Sequence, residues 1–212
     1  MKELQNSGRH WFRKCAPDEE LDALEQYLDA DDSAGTRLTA HTLAELLPET
    51  LDNVRSVVPD SKPVRSVMFR KTDDVNWGVP WHQDRIIAVE ARHDVSGFGN
   101  WSQKQGIWHC EPPVVLLEKM FFLRIHLDDQ TEANGAMQFA LGSHRLGRIP
   151  ASEADQVASS SKIETGEAQR GDVLLLNMLV LHSSKPATVS SRRRVLRVDL
   201  AAFDLPPPLN WN

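Results

Sequence analysis

Cysteine is nearly absent from this 212-residue chain: Cys15 and Cys110 are the only two. So sparse a pair cannot make the disulfide framework of a small secreted domain, and a reducing, cytoplasmic setting is expected. No apolar run approaches the length of a membrane span. The polar amino-terminal stretch MKELQNSGRHWFRKC lacks an apolar signal core, so neither secretion nor a membrane partner is expected. Basic residues are in the minority, Lys+Arg 24 against Asp+Glu 30, for a net charge of -6. Such a chain has no general attraction for nucleic acid or for an anionic surface. Internal repeats and low-complexity tracts are missing as well. What is present, 41% hydrophobic and 25% charged residues, is a globular composition long enough to bury one core. A single domain over 1–212 is expected, mostly helical over 1–62 and β-rich over 63–204.

The first third has helical periodicity. Leu21, Leu24, Tyr27 and Leu28 fall on one stripe of a helix over Glu19–Leu28, with Pro17 suited to its first position. The stretch Asp29 to Gly35 ends it, and Pro48 separates two shorter helices over Thr42–Leu47 and Glu49–Val58. From Pro63 onward the pattern is β. Val64–Lys71 is rich in strand formers. In Phe121–Asp129, Phe121, Leu123, Ile125 and Leu127 alternate with Phe122, Arg124, His126 and Asp128. Period two with one apolar face means a strand packed on something apolar on that side only. Asn134-Gly135 signals a turn into a partner strand over Ala136–Leu141. Gly171-Asp172 makes the next turn, Val173–Leu181 reads as one continuous apolar strand, and Arg194–Leu200 alternates again. Strands and turns without intervening helices argue a mainly β fold, a sandwich or jelly roll buttressed by N-terminal helices. Glu90–Pro113, glycine-rich with Trp101 and Trp108, and Pro150–Arg170, rich in Ser, Ala and Glu, read as long loops. The first has the aromatics of a lid, so Trp101, Gln103 and Lys104 are candidates for substrate contact; the second reads as solvated.

His82-Gln83-Asp84 follows Trp77-Gly78-Val79-Pro80-Trp81 near the start of a strand, where residues two apart project to one side. An imidazole nitrogen and a carboxylate oxygen suit a first-row metal ion, and His182, at the end of the apolar strand, is the best third ligand. Two histidines and one carboxylate on one face of an octahedron leave open positions, the arrangement of non-haem Fe(II) oxygenases. Arg192-Arg193-Arg194 then leads into the last strand, and a guanidinium deep in a barrel needs a carboxylate. Each part alone is common. A lone His-X-Asp occurs by chance, a single histidine is usually a satisfied core residue, and an arginine run is usually a solvated patch. Their order along a β-rich chain is much rarer. His109 with Glu111 and His126 with Asp128 are rival ligand pairs of the same form. The first runs into Pro112-Pro113, and the second shares its face with Arg124, which repels a cation.

Phe69–Arg85, Met120–Gly147 and Gly171–Leu200 resemble the phytanoyl-CoA dioxygenase family of Fe(II)/2-oxoglutarate-dependent oxygenases. The resemblance implies a double-stranded β-helix, an Fe(II) cofactor held by His82, Asp84 and His182, and 2-oxoglutarate and O2 as co-substrates. It places the co-substrate arginine at Arg193, with Gln83 and Ser184 as further co-substrate contacts, and hydroxylation of a small molecule as the reaction. Asp84 speaks against the halogenase branch, which replaces that carboxylate. Parity agrees on Arg193: it shares a face with Val195, Arg197 and Asp199, opposite Leu196, Val198 and Leu200. If the apolar face packs on the N-terminal helices, Arg193, Arg124, His126 and Asp128 point into the barrel, and Arg192 and Arg194 point out. Arg124 is then a candidate for a carboxylate of substrate or co-substrate, or for a salt bridge with Asp128 or Asp199. Other readings of the chain are a nucleic-acid demethylase, disfavoured by the charge, a cupin-like metalloenzyme that does without 2-oxoglutarate, and a non-catalytic binding module. The sequence specifies neither substrate nor oligomeric state. Between Asp94 and Pro113 the only lysine or arginine is Lys104, too little charge to cradle the phosphates of a CoA ester.

Overall fold

Alternation along two long strands decides where the helices and the site lie. In the computed structural model, which describes residues 2–29, 37–71, 76–190 and 193–212, the amino-terminal part forms α1 (Lys2–Ser7), β1 (Arg9–Phe12), α2 (Asp18–Asp29), α3 (Ala40–Leu46) and α4 (Pro48–Arg55). Asp18, Glu19 and Glu20 place negative charge in the first turn of α2, complementing the helix dipole. Thr39 caps α3 by accepting from Thr42 N–H at 3.1 Å, and Pro48 opens α4, where its missing N–H costs nothing. The DADDSAG segment expected to end the first helix lies outside the described residues from position 30 on.

The β part continues as β2 (Lys62–Lys71), β3 (Val79–His82), β4 (Ile87–Val89), β5 (Gly99–Lys104), β6 (Ile107–Glu111), the short α5 (Val114–Leu117), β7 (Met120–His126), β8 (Met137–Ala140), α6 (Ala154–Ser159), β9 (Ile163–Thr165), β10 (Val173–Asn177), β11 (His182–Ser184) and β12 (Arg193–Ala201). Two antiparallel sheets, in the order β1-β10-β7-β12-β2 and β3-β11-β8-β9, make a jelly roll, with a third sheet β4-β6-β5 beside them. Leu123 and Ile125 of β7 and Leu196, Val198 and Leu200 of β12 share one buried cluster with Leu21, Leu24, Leu43, Leu47 and Leu51 of the helices. The apolar parity class therefore faces the helices and turns the mixed class into the barrel.

Several sequence expectations are corrected. Glu90–Pro113 is not a loop, because β5 and β6 pair as a hairpin within it. Gln105 and Gly106, at φ 52° and 80°, form a two-residue turn in the left-handed region, whose twist matches that of the flanking strands. Pro150–Arg170 likewise contains α6 and β9, with Ala154 and Ala158 buried. The apolar run Val173–Leu181 is not one strand. β10 stops at Asn177, whose side-chain oxygen accepts from Leu179 N–H at 2.9 Å and turns the chain toward the other sheet. Met178 to Leu181 stay buried through that crossing, so composition alone shows no break. β7 ends at His126, and alternation lapses before Asp128, which lies outside the barrel against Arg194.

Candidate metal centre and its cavity

The pairing of β11 with β3 sets His182 directly opposite His82, with ring centroids 4.2 Å apart. β3 stops at His82, so Asp84 reaches the same space from an irregular segment and not through strand alternation. Its Oδ2 lies 3.1 Å from His182 Nε2, and its Oδ1 3.9 Å from His82 Nε2. Ligand atoms of all three residues lie within 4.8 Å of one another, the only such group among the described residues. His82 Nδ1 is 2.8 Å from the Pro80 carbonyl and His182 Nδ1 is 2.9 Å from the Val180 carbonyl. A carbonyl can only accept, so each Nδ1 carries hydrogen and each Nε2 is left to face Asp84. This is the backbone bracing by which ligating imidazoles are fixed in tautomer and orientation. The donor set, two nitrogens and one oxygen, fits a first-row divalent ion such as Fe(II).

Gln83 supports the segment between His82 and Asp84. Its amide nitrogen donates to the carbonyls of Gly147 and Leu179, both at 2.8 Å, and its oxygen accepts from Ile149 N–H at 2.8 Å. With these partners it holds the backbone in place and does not line the cavity. The rival ligand pairs are otherwise engaged. Glu111 meets Arg148 at 3.2 Å and Arg85 at 3.5 Å, while His126 is buried and Asp128 is on the far side of the sheet.

Electrostatics around Asp84 come from a residue without an expected role. Arg197, inward-facing on β12, donates to Asp84 and, at 2.6 Å, to Asp199, which also meets Arg65 at 3.2 Å. Arg197 also lies 4.4 Å above the Phe122 ring, which fixes its plane. Burial alone would raise the Asp84 carboxyl, but the Arg197 guanidinium and then His182 outweigh it and hold it well below its ordinary value. His82 is pushed down by burial first and by His182 second, which favours the neutral, metal-ligating imidazole. Sequence parity places Arg197 on the face of Arg193; only the path of the chain after His82 brings it to Asp84.

A cavity of about 170 Å³ opens beside the three candidate ligands, lined also by Phe69, Val79, Phe122, Met137, Ser183, Ser184, Arg124, Arg193 and Arg197. Arg193 is buried, donates through Nη1 to the Gly135 carbonyl and leaves Nε without a partner. The Asn134-Gly135 turn thus orients it. Burial lowers its guanidinium to about 10. Arg124 is buried across the strand pair from Arg197. Burial, then the neighbouring charges of Arg193 and Arg197, lower it to about 9. Ser184 lines the cavity, whereas Trp101 and Lys104 do not. Trp101 packs edge-on against Trp108 at 6.5 Å, and Lys104 is exposed at the hairpin turn. A larger cavity of about 430 Å³ lies between α1 and the end of α4, away from the metal-ligand group. No described helix is long and apolar enough to cross a membrane.

Comparison with known proteins gives the family and the fold. The phytanoyl-CoA dioxygenase (PhyH) family matches residues 3–195. No curated protein sequence matches the chain significantly. Among solved structures, AviO1 from Streptomyces viridochromogenes Tue57 is 20% identical with a TM-score of 0.64, covering 97% of this chain and 95% of that one. EctD from S. alaskensis in its apoform is 16% identical with a TM-score of 0.69, over 98% and 78% of the two chains. HygX from Streptomyces hygroscopicus, solved with nickel and 2-oxoglutarate bound, is 16% identical with a TM-score of 0.58, over 93% and 84%. At these identities the likeness establishes the shared fold.

Proposed function

The chain belongs to the phytanoyl-CoA dioxygenase family, an Fe(II)/2-oxoglutarate-dependent oxygenase family, and from that premise we propose that it hydroxylates a small organic substrate while 2-oxoglutarate is converted to succinate and CO2. What Fe(II) supplies when bound is the activation of O2; the chain supplies binding, orientation and dryness. His82, Asp84 and His182 would hold the ion through two Nε2 atoms and a carboxylate oxygen, leaving positions open for co-substrate and O2. Arg193 receives the distal carboxylate of 2-oxoglutarate, the bidentate partner its buried guanidinium lacks, and the Ser184 hydroxyl serves the same ligand. Arg197 keeps Asp84 ionised and oriented. Phe69, Val79, Phe122 and Met137 limit the water that reaches the reacting atoms. HygX carries 2-oxoglutarate and nickel within the same fold, which supports this assignment.

The observation that carries the reading is the convergence of His82, Asp84 and His182 with both Nδ1 atoms already bound to carbonyls. The cavity, about 170 Å³ against the roughly 300–1,000 Å³ of drug-sized sites, supports a compact substrate over a CoA ester. A cupin-like enzyme without 2-oxoglutarate would have no use for Arg193, which faces no carboxylate among the described residues. The test is spectroscopic: anaerobic addition of Fe(II) and 2-oxoglutarate should give a weak visible charge-transfer band. His182→Ala should abolish it and Arg193→Ala should weaken it. Absence of the band in the wild type, or a band indifferent to Arg193→Ala, overturns the reading.

A further inference from the structure

Three guanidinium groups face the metal cavity against one carboxylate among its lining residues. Arg197 is compensated by Asp84 and Asp199. Arg193 has the Gly135 carbonyl and, on the reading above, the distal carboxylate of 2-oxoglutarate. Arg124 has no hydrogen-bond or ion-pair partner among the described residues, although it is only 8% exposed. It sits directly across from Arg197 in the β7–β12 register, on the same inner face as Arg193. Folding alone does not favour this arrangement, because a buried cation without a counter-ion forfeits hydration and two side by side also repel. An anion in the cavity removes both penalties. On the reading above, the other carboxylate of 2-oxoglutarate would go to the metal, and the described carboxylates on this face, Asp84 and Asp199, are already paired.

We infer that Arg124 is a second carboxylate anchor of the site, acting beside Arg193. The inference rests on the 2-oxoglutarate reading and deepens it. Two ligands present the required group: the distal carboxylate of 2-oxoglutarate, gripped by Arg124 and Arg193 together, or a carboxylate on the molecule that is hydroxylated. Neither source needs more protein contacts than the cavity already shows. Arg124 touches ligand under either source, so its loss shows in binding and not only in turnover.

Calorimetry on the Ni(II)-loaded protein, which binds without turning over, separates the sources. 2-Oxoglutarate is titrated into wild type, Arg124→Met, Arg124→Lys and Arg193→Gln; propionate, a minimal carboxylate, is then titrated into each with 2-oxoglutarate saturating. An affinity for 2-oxoglutarate weakened about tenfold or more in Arg124→Met, and partly restored in Arg124→Lys, assigns the anchor to the co-substrate. Unchanged 2-oxoglutarate binding with a propionate site present in wild type and lost in Arg124→Met assigns it to the substrate, which is then an organic acid. Arg124→Met should melt no lower than wild type, since no protein partner is lost. A large drop in melting temperature, or both titrations unchanged in Arg124→Met, overturns the inference. If wild type does not bind 2-oxoglutarate, or Arg193→Gln binds it normally, the co-substrate reading itself fails; an effect confined to Arg193→Gln defeats only the second anchor.

Discussion

Arg193 and Arg194 are neighbours in β12 and almost equally buried, yet they keep opposite company. Arg194 points toward the helices, where Asp128 takes Nε at 2.9 Å and Nη2 at 2.7 Å and Glu25 takes Nη1 at 2.9 Å. Arg170 reinforces that side, reaching Glu25 and, at 2.7 Å, Asp22. One residue earlier, Arg193 points into the barrel and finds, among the described residues, a single carbonyl. Carboxylates were available to this chain, which is acidic overall, so the imbalance is local. A buried guanidinium with its full set of carboxylates holds elements of the fold together. One without them keeps most of its desolvation cost until an anion arrives. On the reading proposed above, the strand thus sets a structural guanidinium, Arg194, beside a ligand-directed one, Arg193.

That contrast breaks most readily at Arg193. Replacing it with Gln should weaken 2-oxoglutarate binding by about 2–5 kcal/mol, the cost of truncating one partner of a buried charge pair, while urea denaturation of the apo protein changes little. A loss of apo stability as large as the loss of affinity would mean that the inner face is structural after all. Arg194→Ala should do the reverse. It leaves Asp128 and Glu25 without their shared cation beneath α2, for about 3 kcal/mol of lost stability. The 2-oxoglutarate affinity of the protein that remains folded should be unchanged, because the carboxylates of Arg194 belong to the outer face.

Much of this division is legible in the order of the residues alone. Leu196, Val198 and Leu200 opposite Val195, Arg197 and Asp199 is a pattern that only a strand with one helix-covered face explains. The chain order His-X-Asp, strand pair, Gly-Asp-strand-His, Arg brings His82, Asp84, His182 and Arg193 together as a set. What alternation could not supply lies where strands end. The inward position expected of Asp128 fails because β7 stops at His126, and parity means nothing beyond a strand's last residue. Arg197 shares the inward face, but its partner Asp84 belongs to an irregular segment whose direction is set by the three backbone bonds of Gln83. The β5–β6 hairpin escapes notice because its turn is Gln105-Gly106, and glutamine is a rare occupant of a φ near 52°. Local chemistry marks the regular elements; the ends are decided by contacts with chain far away in sequence.

Acid sharpens the comparison further, with a smaller effect. His126 lies on the inner face two residues from Arg124; its Nδ1 donates to the Asp172 carbonyl at 2.8 Å, its ring stacks on Trp11, and its Nε2 has no partner. Burial, then the charge of Arg124, lowers it from 6.5 to about 3, with Arg13 adding slightly and the Asp172 carbonyl and carboxylate opposing. Its folded value lies below its unfolded one, so below pH 6.5 the unfolded chain takes up a proton that the folded chain refuses. Stability should then fall by about 1.4 kcal/mol per pH unit from this group alone, down to its folded value. Glu25 behaves differently. Burial would raise it, but Arg194 and Arg170 hold it below its ordinary 4.5. The stability from its ion pairs is present above that value and is lost only as pH falls through the lower, folded one. Denaturation followed from pH 7 to pH 5 should therefore carry the His126 contribution on top of those of His10, His82, His109 and His144, which burial also lowers, so the share of the inner face is read from variants. His126→Phe should flatten the slope by about one proton, and the backbone N–H of residue 126 still serves the Asp172 carbonyl in that variant. Glu25→Gln should leave the slope over the same interval unchanged, and a slope that follows Glu25 instead would place the acid-sensitive charge on the outer face and reverse the assignment.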